Sequence, residues 1–138
     1  MRRWLLLLPL LIGNAAAGGP IEVDVSGLRS AQGFVRVSVC PKNLFLKVCP
    51  WSASVPAHAG EVKVVVEGVP PGQYAVQAFH DADADNKLGQ NWIGIPREGI
   101  GFSNDAMGHL TLPRFSVAAF DHGPARQRIA VTVRYFLG

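Results

Sequence analysis

Residues 61–67 read Glu-Val-Lys-Val-Val-Val-Glu, so Val62, Val64 and Val66 alternate with mostly charged residues. Because successive side chains of a strand point to opposite faces, this period of two predicts a strand with one buried face. The same period recurs over residues 21–25, 34–39 and 128–135. Strands with one wet face are typical of antiparallel sheets, whereas parallel strands buried on both faces are continuously apolar.

The composition also favours strands. The chain of 138 residues contains 15 glycines and 10 prolines, which interrupt helices and form turns. Its many valines are stiff side chains that fit a pleated surface. We therefore predict an all-β fold, an antiparallel two-sheet sandwich of immunoglobulin-like or transthyretin-like type with six to seven strands and one long ordered loop.

The turn at Pro70-Pro71-Gly72 predicts how two strands are connected. Proline presets the first central position of a type II turn, and glycine supplies the positive φ of the next. We expect residues 74–80 to follow as a strand and to form a hairpin with 61–67. Its apolar groups lie on both faces, so we expect it to be central. Residues 115–120 predict one further short strand.

The strand pattern also predicts which side chains are buried. One set should face the core and the other should face water. The predicted core set is Val35, Val37, Val62, Val64, Val66, Val131 and Val133, and the predicted exposed set is Arg36, Lys63 and Arg134.

The first seventeen residues differ from the rest. Arg2 and Arg3 precede the apolar residues 4–12, and alanines at 15–17 precede Gly18. A basic start, a short apolar stretch and small residues before the cut are the features of a cleavable export signal, and the apolar stretch is too short to span a bilayer. We therefore expect residues 1–17 to be a signal peptide, residues 18–138 to form a single β-sandwich domain, and the protein to be periplasmic or secreted.

Cys40 and Cys49 are the two cysteines of the chain. An even number of cysteines after an export signal predicts a disulfide bond, because the compartment is oxidising. The spacing is not that of a redox C-x-x-C motif, and no second pair is present for a metal.

The charge of the expected mature chain excludes several partners. Loss of Arg2 and Arg3 from the 13 basic side chains leaves 11 against 10 Asp and Glu. A nearly neutral chain without clustered Lys and Arg gives no reason to expect nucleic acid or an anionic membrane as a partner. We expect a monomer with no membrane span once the signal is removed.

The most distinctive stretch runs from Tyr74-Ala-Val-Gln-Ala-Phe-His-Asp-Ala-Asp-Ala-Asp-Asn-Lys-Leu88 to Gly101-Phe-Ser-Asn104. With the preceding Pro-Pro-Gly, it resembles the bacterial exported family of unknown function DUF2141, whose pattern contains F-H-D-x-N-x-N-G-K-L-D and G-F-S-N. The resemblance implies a small periplasmic or secreted β-sandwich without an assigned activity. The chain departs from the pattern at Asn86, where the family has Gly, and at Gly89, where it has an acid.

Asp81, Asp83 and Asp85 alternate as carboxylates do at the start of a calcium loop. An EF-hand beginning at Asp81 would need Gly at 86 and Glu at 92, where this chain has Asn and Trp. A calcium site would thus need distant ligands, such as Glu98, Asn91, Asn104 or backbone carbonyls. The alternative is a solvated acidic turn whose side chains bond nearby backbone amides.

Two functions remain open. An exported, non-catalytic module would bind a small ligand, a surface component or a protein partner through the loop at 80–105. The residues expected to bind are His80, Asp81, Asn91, Glu98, Ser103 and Asn104. A hydrolase or metal-dependent enzyme would instead use His80, Asp81 and Glu98, because imidazole titrates near neutral pH and a carboxylate can orient it. Against this, His80 could simply be a buried, hydrogen-bonded side chain. In either case, we expect the loop at 81–105 to be ordered over Trp92 and Phe102 even without an added ion.

The first testable prediction concerns export. The exported product should begin at Gly18, because the alanines at 15–17 suit a signal peptidase. Intact-mass measurement of the secreted or periplasmic protein checks this, and an uncleaved chain or another first residue would contradict it.

Overall fold

The computed structural model describes residues 17–84, 98–107 and 111–135. These residues form eight strands and one short α-helix. The elements are β1 (Ile21–Leu28), β2 (Phe34–Cys40), β3 (Trp51–Pro56), β4 (Gly60–Val66), β5 (Gly72–Asp81), β6 (Ile100–Phe102), α1 (Phe115–Ala118), β7 (Phe120–His122) and β8 (Gln127–Thr132). A 3-10 helix at Lys42–Leu44 follows β2.

The strands form two sheets, which confirms the predicted all-β sandwich, although the described residues contain eight strands where six to seven were predicted. The smaller sheet has the order β4-β1-β8, and the larger has the order β3-β2-β5-β6, with β7 also paired to β5. The inward valines of both sheets meet in one core. All seven valines predicted to be buried are buried.

Of the three basic side chains predicted to be exposed, Lys63 and Arg134 are exposed. The prediction for Arg36 was wrong, since its side chain is only 23% exposed. Its guanidinium lies against the carboxylate of Asp81, so the arginine stays on the outer face of β2 without being fully solvated.

One strand pair departs from the antiparallel prediction, because β1 and β8 run parallel. Their shared outer face is charged: Glu22 lies in register with Arg128, and Arg126 also binds its carboxylate. The hydrogen bond from Arg126, supported by Arg128, lowers the pKa of Glu22 to about 2. The alternation of side chains thus reports that one face is exposed and does not report the direction of the neighbouring strand.

The predicted hairpin between residues 61–67 and 74–80 was wrong. β4 pairs with β1 in the smaller sheet, and β5 pairs with β2 and β6 in the larger one. The turn after β4 therefore carries the chain from one sheet to the other. The separation follows from burial, since β5 is buried on both faces and lies inside the larger sheet, whereas β4 has an exposed face and lies at an edge.

The predicted strand at 115–120 is mostly helical. α1 occupies Phe115–Ala118. The strand β7 begins after it, at Phe120, and pairs with the start of β5. Side chains rather than a strand ladder bind the backbone here: the Ser103 hydroxyl donates to the carbonyl of Ala118, and the Asn104 amide donates to the carbonyls of Val117 and Ala119.

The predicted disulfide between Cys40 and Cys49 is present, with a Cα–Cα distance of 5.3 Å. It closes the segment that carries the 3-10 helix. Gln77 of β5 holds this segment, accepting from the Leu46 N–H at 2.9 Å and donating to the Lys47 carbonyl at 2.9 Å. Over the described part of the chain, no helix is long and apolar enough to cross a membrane.

Neighbouring valines on β4 give a matched test of the sandwich. Val64 is fully buried and Val65 is 39% exposed. Val64→Ala should lower the free energy of unfolding by about 2 kcal/mol, because it leaves a cavity, and Val65→Ala by less than about 1 kcal/mol. Urea unfolding of both variants checks this, and equal losses would mean that the two faces are misassigned.

Candidate functional site

His80 and Asp81 are consecutive residues at the end of β5, and their side chains point to opposite faces of the sheet. His80 shares the inner face with Val76 and Ala78, whereas Asp81 lies on the outer face. A histidine and a carboxylate in this arrangement cannot form a hydrogen-bonded catalytic pair. The geometry therefore separates two of the three residues expected in the hydrolase alternative.

His80 is buried, and both of its ring nitrogens are engaged. Nε2 lies 2.7 Å from the backbone carbonyl of Gln32, and Nδ1 lies 2.7 Å from the hydroxyl of Tyr135. The carbonyl can only accept, so Nε2 carries the proton, and Nδ1 of the neutral ring accepts from Tyr135. The Tyr135 oxygen in turn accepts from the Arg29 N–H at 3.1 Å. These bonds join the β1–β2 loop, β5 and the C-terminal segment.

Asp81 is fully buried and is paired with Arg36. The guanidinium Nε of Arg36 lies 2.6 Å from Oδ2 of Asp81. Arg36 also donates to the hydroxyl of Ser54 at 3.1 Å. A buried carboxylate is tolerated only when it is paired and hydrogen-bonded, and Arg36 supplies that compensation.

Three carboxylates converge beyond the end of β5. One oxygen each of Asp81, Asp83 and Glu98 lies within 4.8 Å of the other two. Asp81 is buried, Glu98 is half-buried and Asp83 is exposed. Calcium binds oxygen ligands at about 2.3–2.6 Å, so two ligands of one ion lie at most about 5 Å apart. The described carboxylates therefore have the spacing of a partial calcium ligand set.

The register of β5 places the other predicted residues elsewhere. Ser103 lies opposite Val76. The Ser103 hydroxyl accepts a hydrogen bond from the Val76 N–H, and the Ser103 N–H donates to the Val76 carbonyl. Val76 is five residues from Asp81, a distance of roughly 17 Å along a strand. The structure therefore brings Asp81, Asp83 and Glu98 together and sets Ser103 and Asn104 apart from them, where they bind the segment of α1.

Asp85, Asn91 and Trp92 lie outside the described residues. The metal-binding role of Asp85, the ligand-binding role of Asn91 and the packing of Trp92 under the loop therefore stay predictions. Phe102, the second aromatic residue expected under the loop, is 1% exposed. Its ring makes an edge contact with the ring of Phe45, and the two ring centroids are 5.8 Å apart.

Reasoning from the sequence missed the side chains that hold this region together. Arg36 was expected to be solvated, and neither Gln32 nor Tyr135 was singled out. These residues lie 45 or more positions from the residues they bind. No local spacing signals such contacts. The strand period, however, already implies opposite faces for His80 and Asp81.

Comparison with known proteins adds the family. The family model DUF2141, described as "Uncharacterized protein conserved in bacteria", matches residues 23–130. The chain belongs to the DUF2141 family. No curated protein and no solved structure matches it. The matched range begins in β1 and ends in β8, so the DUF2141 match includes the acidic cluster and both sheets.

The bonds of His80 predict its tautomer. Long-range proton–nitrogen NMR should show the proton on Nε2 and the lone pair on Nδ1. Tyr135→Phe removes the donor to Nδ1 and should lower the free energy of unfolding by about 1–2 kcal/mol. A proton on Nδ1 in the neutral ring, or an unchanged stability in Tyr135→Phe, would contradict the structural role.

Proposed function

We propose that this DUF2141 protein is an exported, non-catalytic β-sandwich that binds calcium through Asp81, Asp83 and Glu98. The bound ion links Asp83 to Glu98, and the surface of the loop at 80–105 contacts a small ligand, a surface component or a protein partner. The observation that carries the proposal is the convergence of three carboxylate oxygens within 4.8 Å of one another.

The charges of the cluster support a divalent cation. Three ionised carboxylates repel one another, and such a group is stabilised by protons, basic side chains or a metal ion. Arg36 contributes one positive charge through Asp81. A calcium ion bound between the three carboxylates would offset their mutual repulsion.

The chain positions of the ligands support a role in joining the two ends of the loop. Asp83 lies just after β5, and Glu98 lies just before β6. An ion held by both would tie together the two ends of the segment between them. Bringing these ends together costs chain entropy that grows only slowly with loop length, so one ion can offset it.

The neighbouring side chains support binding rather than catalysis. A general base needs a nitrogen that can reach a substrate, and both nitrogens of His80 are bound within the fold. The Ser103 hydroxyl is buried and donates to the Ala118 carbonyl at 2.6 Å. These contacts give no support to the hydrolase alternative.

Two features support export. The sequence begins with the pattern of a cleavable signal. The described chain carries a disulfide, and disulfides persist in oxidising compartments such as the periplasm.

Thermal melts with and without calcium test the proposal. Calcium at 100 times its Kd should stabilise the chain beginning at Gly18 by about 2.7 kcal/mol, which corresponds to roughly 10 °C in Tm, and chelator should reverse the shift. Asp83→Asn and Glu98→Gln should each reduce the shift strongly, because each removes a charged ligand.

Glu67→Gln is the matched control, since Glu67 is an exposed carboxylate at the end of β4. It should keep the full calcium shift. An absent shift in the parent chain, or a shift that survives both Asp83→Asn and Glu98→Gln, would reject calcium binding at this cluster.

A further inference from the structure

The segment that follows the expected signal cleavage point is built into the fold. Gly19 is buried, and its N–H donates to the carbonyl of Gly123 at 3.2 Å. The N–H of Gln127 donates to the carbonyl of Pro20 at 3.0 Å. Residues 18–20 are thereby attached to the residue that follows β7 and to the start of β8 before β1 begins.

Two glycines allow this close approach. A Cβ on Gly18 would overlap the carbonyl oxygen of Val69, and a Cβ on Gly19 would overlap the carbonyl oxygen of Ala125. Any larger residue would have to displace backbone. Gly18 therefore sits in a narrow slot, whereas Ala17 is exposed.

A buried histidine borders the slot. His122 is 5% exposed, and its Nδ1 lies 2.7 Å from Oε1 of Gln127. The Gln127 amide nitrogen donates to the Asp121 carbonyl at 2.9 Å, which fixes the amide so that its oxygen faces the ring. Nδ1 must then be the donor, and Nε2 of the neutral ring is an acceptor.

The acceptor has no partner within the fold. Nε2 of His122 is buried and makes no hydrogen bond among residues 17–84, 98–107 and 111–135. A Cβ on Gly18 would lie 2.9 Å from this nitrogen. Gly18 therefore borders this acceptor, and a buried acceptor that stays unsatisfied is unfavourable for the folded state.

We propose that signal cleavage after Ala17 completes a primary-ammonium site within the fold. The new α-ammonium of Gly18 donates to Nε2 of His122, and its other N–H groups face solvent because Gly18 is only half-buried. Charge-assisted hydrogen bonds are the stronger kind, and they compensate the partial desolvation of the ammonium. The inference rests on the export part of the proposed function and is independent of calcium.

Two chains made with defined first residues test the docking without relying on export. One begins at Gly18 and the other at Ala17, each released from a fusion by a specific protease. Because Ala17 is exposed, its retention introduces no clash and only replaces the ammonium of Gly18 by an amide. The chain beginning at Gly18 should have a folding equilibrium constant about tenfold larger.

His122→Phe in both chains isolates the contact, because a coupled pair shows non-additive changes. The tenfold difference should shrink to less than twofold in this background. If the His122→Phe variants do not fold, NMR of the two parent chains still tests the contact between Gly18 and His122. The Nε2 signal of His122 should shift toward the hydrogen-bonded position only in the chain beginning at Gly18.

Equal stabilities together with identical His122 signals in the two parent chains would overturn the docking. The His122 signal could shift in the chain made to begin at Gly18 while the exported protein begins at another residue. This result would leave the docking intact and reject cleavage at Gly18. Calcium melts of the same chains report separately on the acidic cluster, so the failure of either proposal is recognisable.

Discussion

The strand β5 is buried on both faces over most of its length, and this burial dictates how the other segments of the chain are attached. This strand has neighbours on both edges and carries several polar side chains that water does not reach. Each must find its partner elsewhere in the chain, because a buried polar group without one costs about 1–3 kcal/mol. Gln77 binds the disulfide segment, His80 binds Gln32 and Tyr135, and Asp81 binds Arg36. These bonds attach distant segments to one strand.

The two faces of β5 are covered differently. The inner face packs on the valines of the smaller sheet, as in any sandwich. The outer face is covered by a second apolar cluster, to which Phe45 of the disulfide segment and Phe115 of α1 contribute. The disulfide restricts a segment that otherwise has only the 3-10 helix as regular structure, and Gln77 fixes its position. The long connections therefore serve as a third layer.

The alternation of side chains along β5 also separates the candidate functional residues onto two faces of the sheet. His80 faces inward and has become a structural crosslink, whereas Asp81 faces outward, toward Asp83 and Glu98. The opposite orientation of His80 and Asp81 follows from the sequence once residues 74–80 are read as a strand. The meeting of Asp81 with Glu98 does not, because it depends on where β6 pairs along β5. The same pairing sets Ser103 and Asn104 apart from the cluster, although all of them lie in one motif.

The strands β1, β2, β4, β5 and β8, the buried valines, the disulfide and the family resemblance could all be predicted from the sequence, because each depends on local spacing or composition. The local sequence pattern did not indicate that β4 and β5 lie in different sheets, that β1 and β8 run parallel, or that Arg36 binds Asp81. An alternating pattern records which face of a strand is wet. It contains no information on the neighbouring strand or its direction, which follow from packing the whole chain around a strand that has no exposed face.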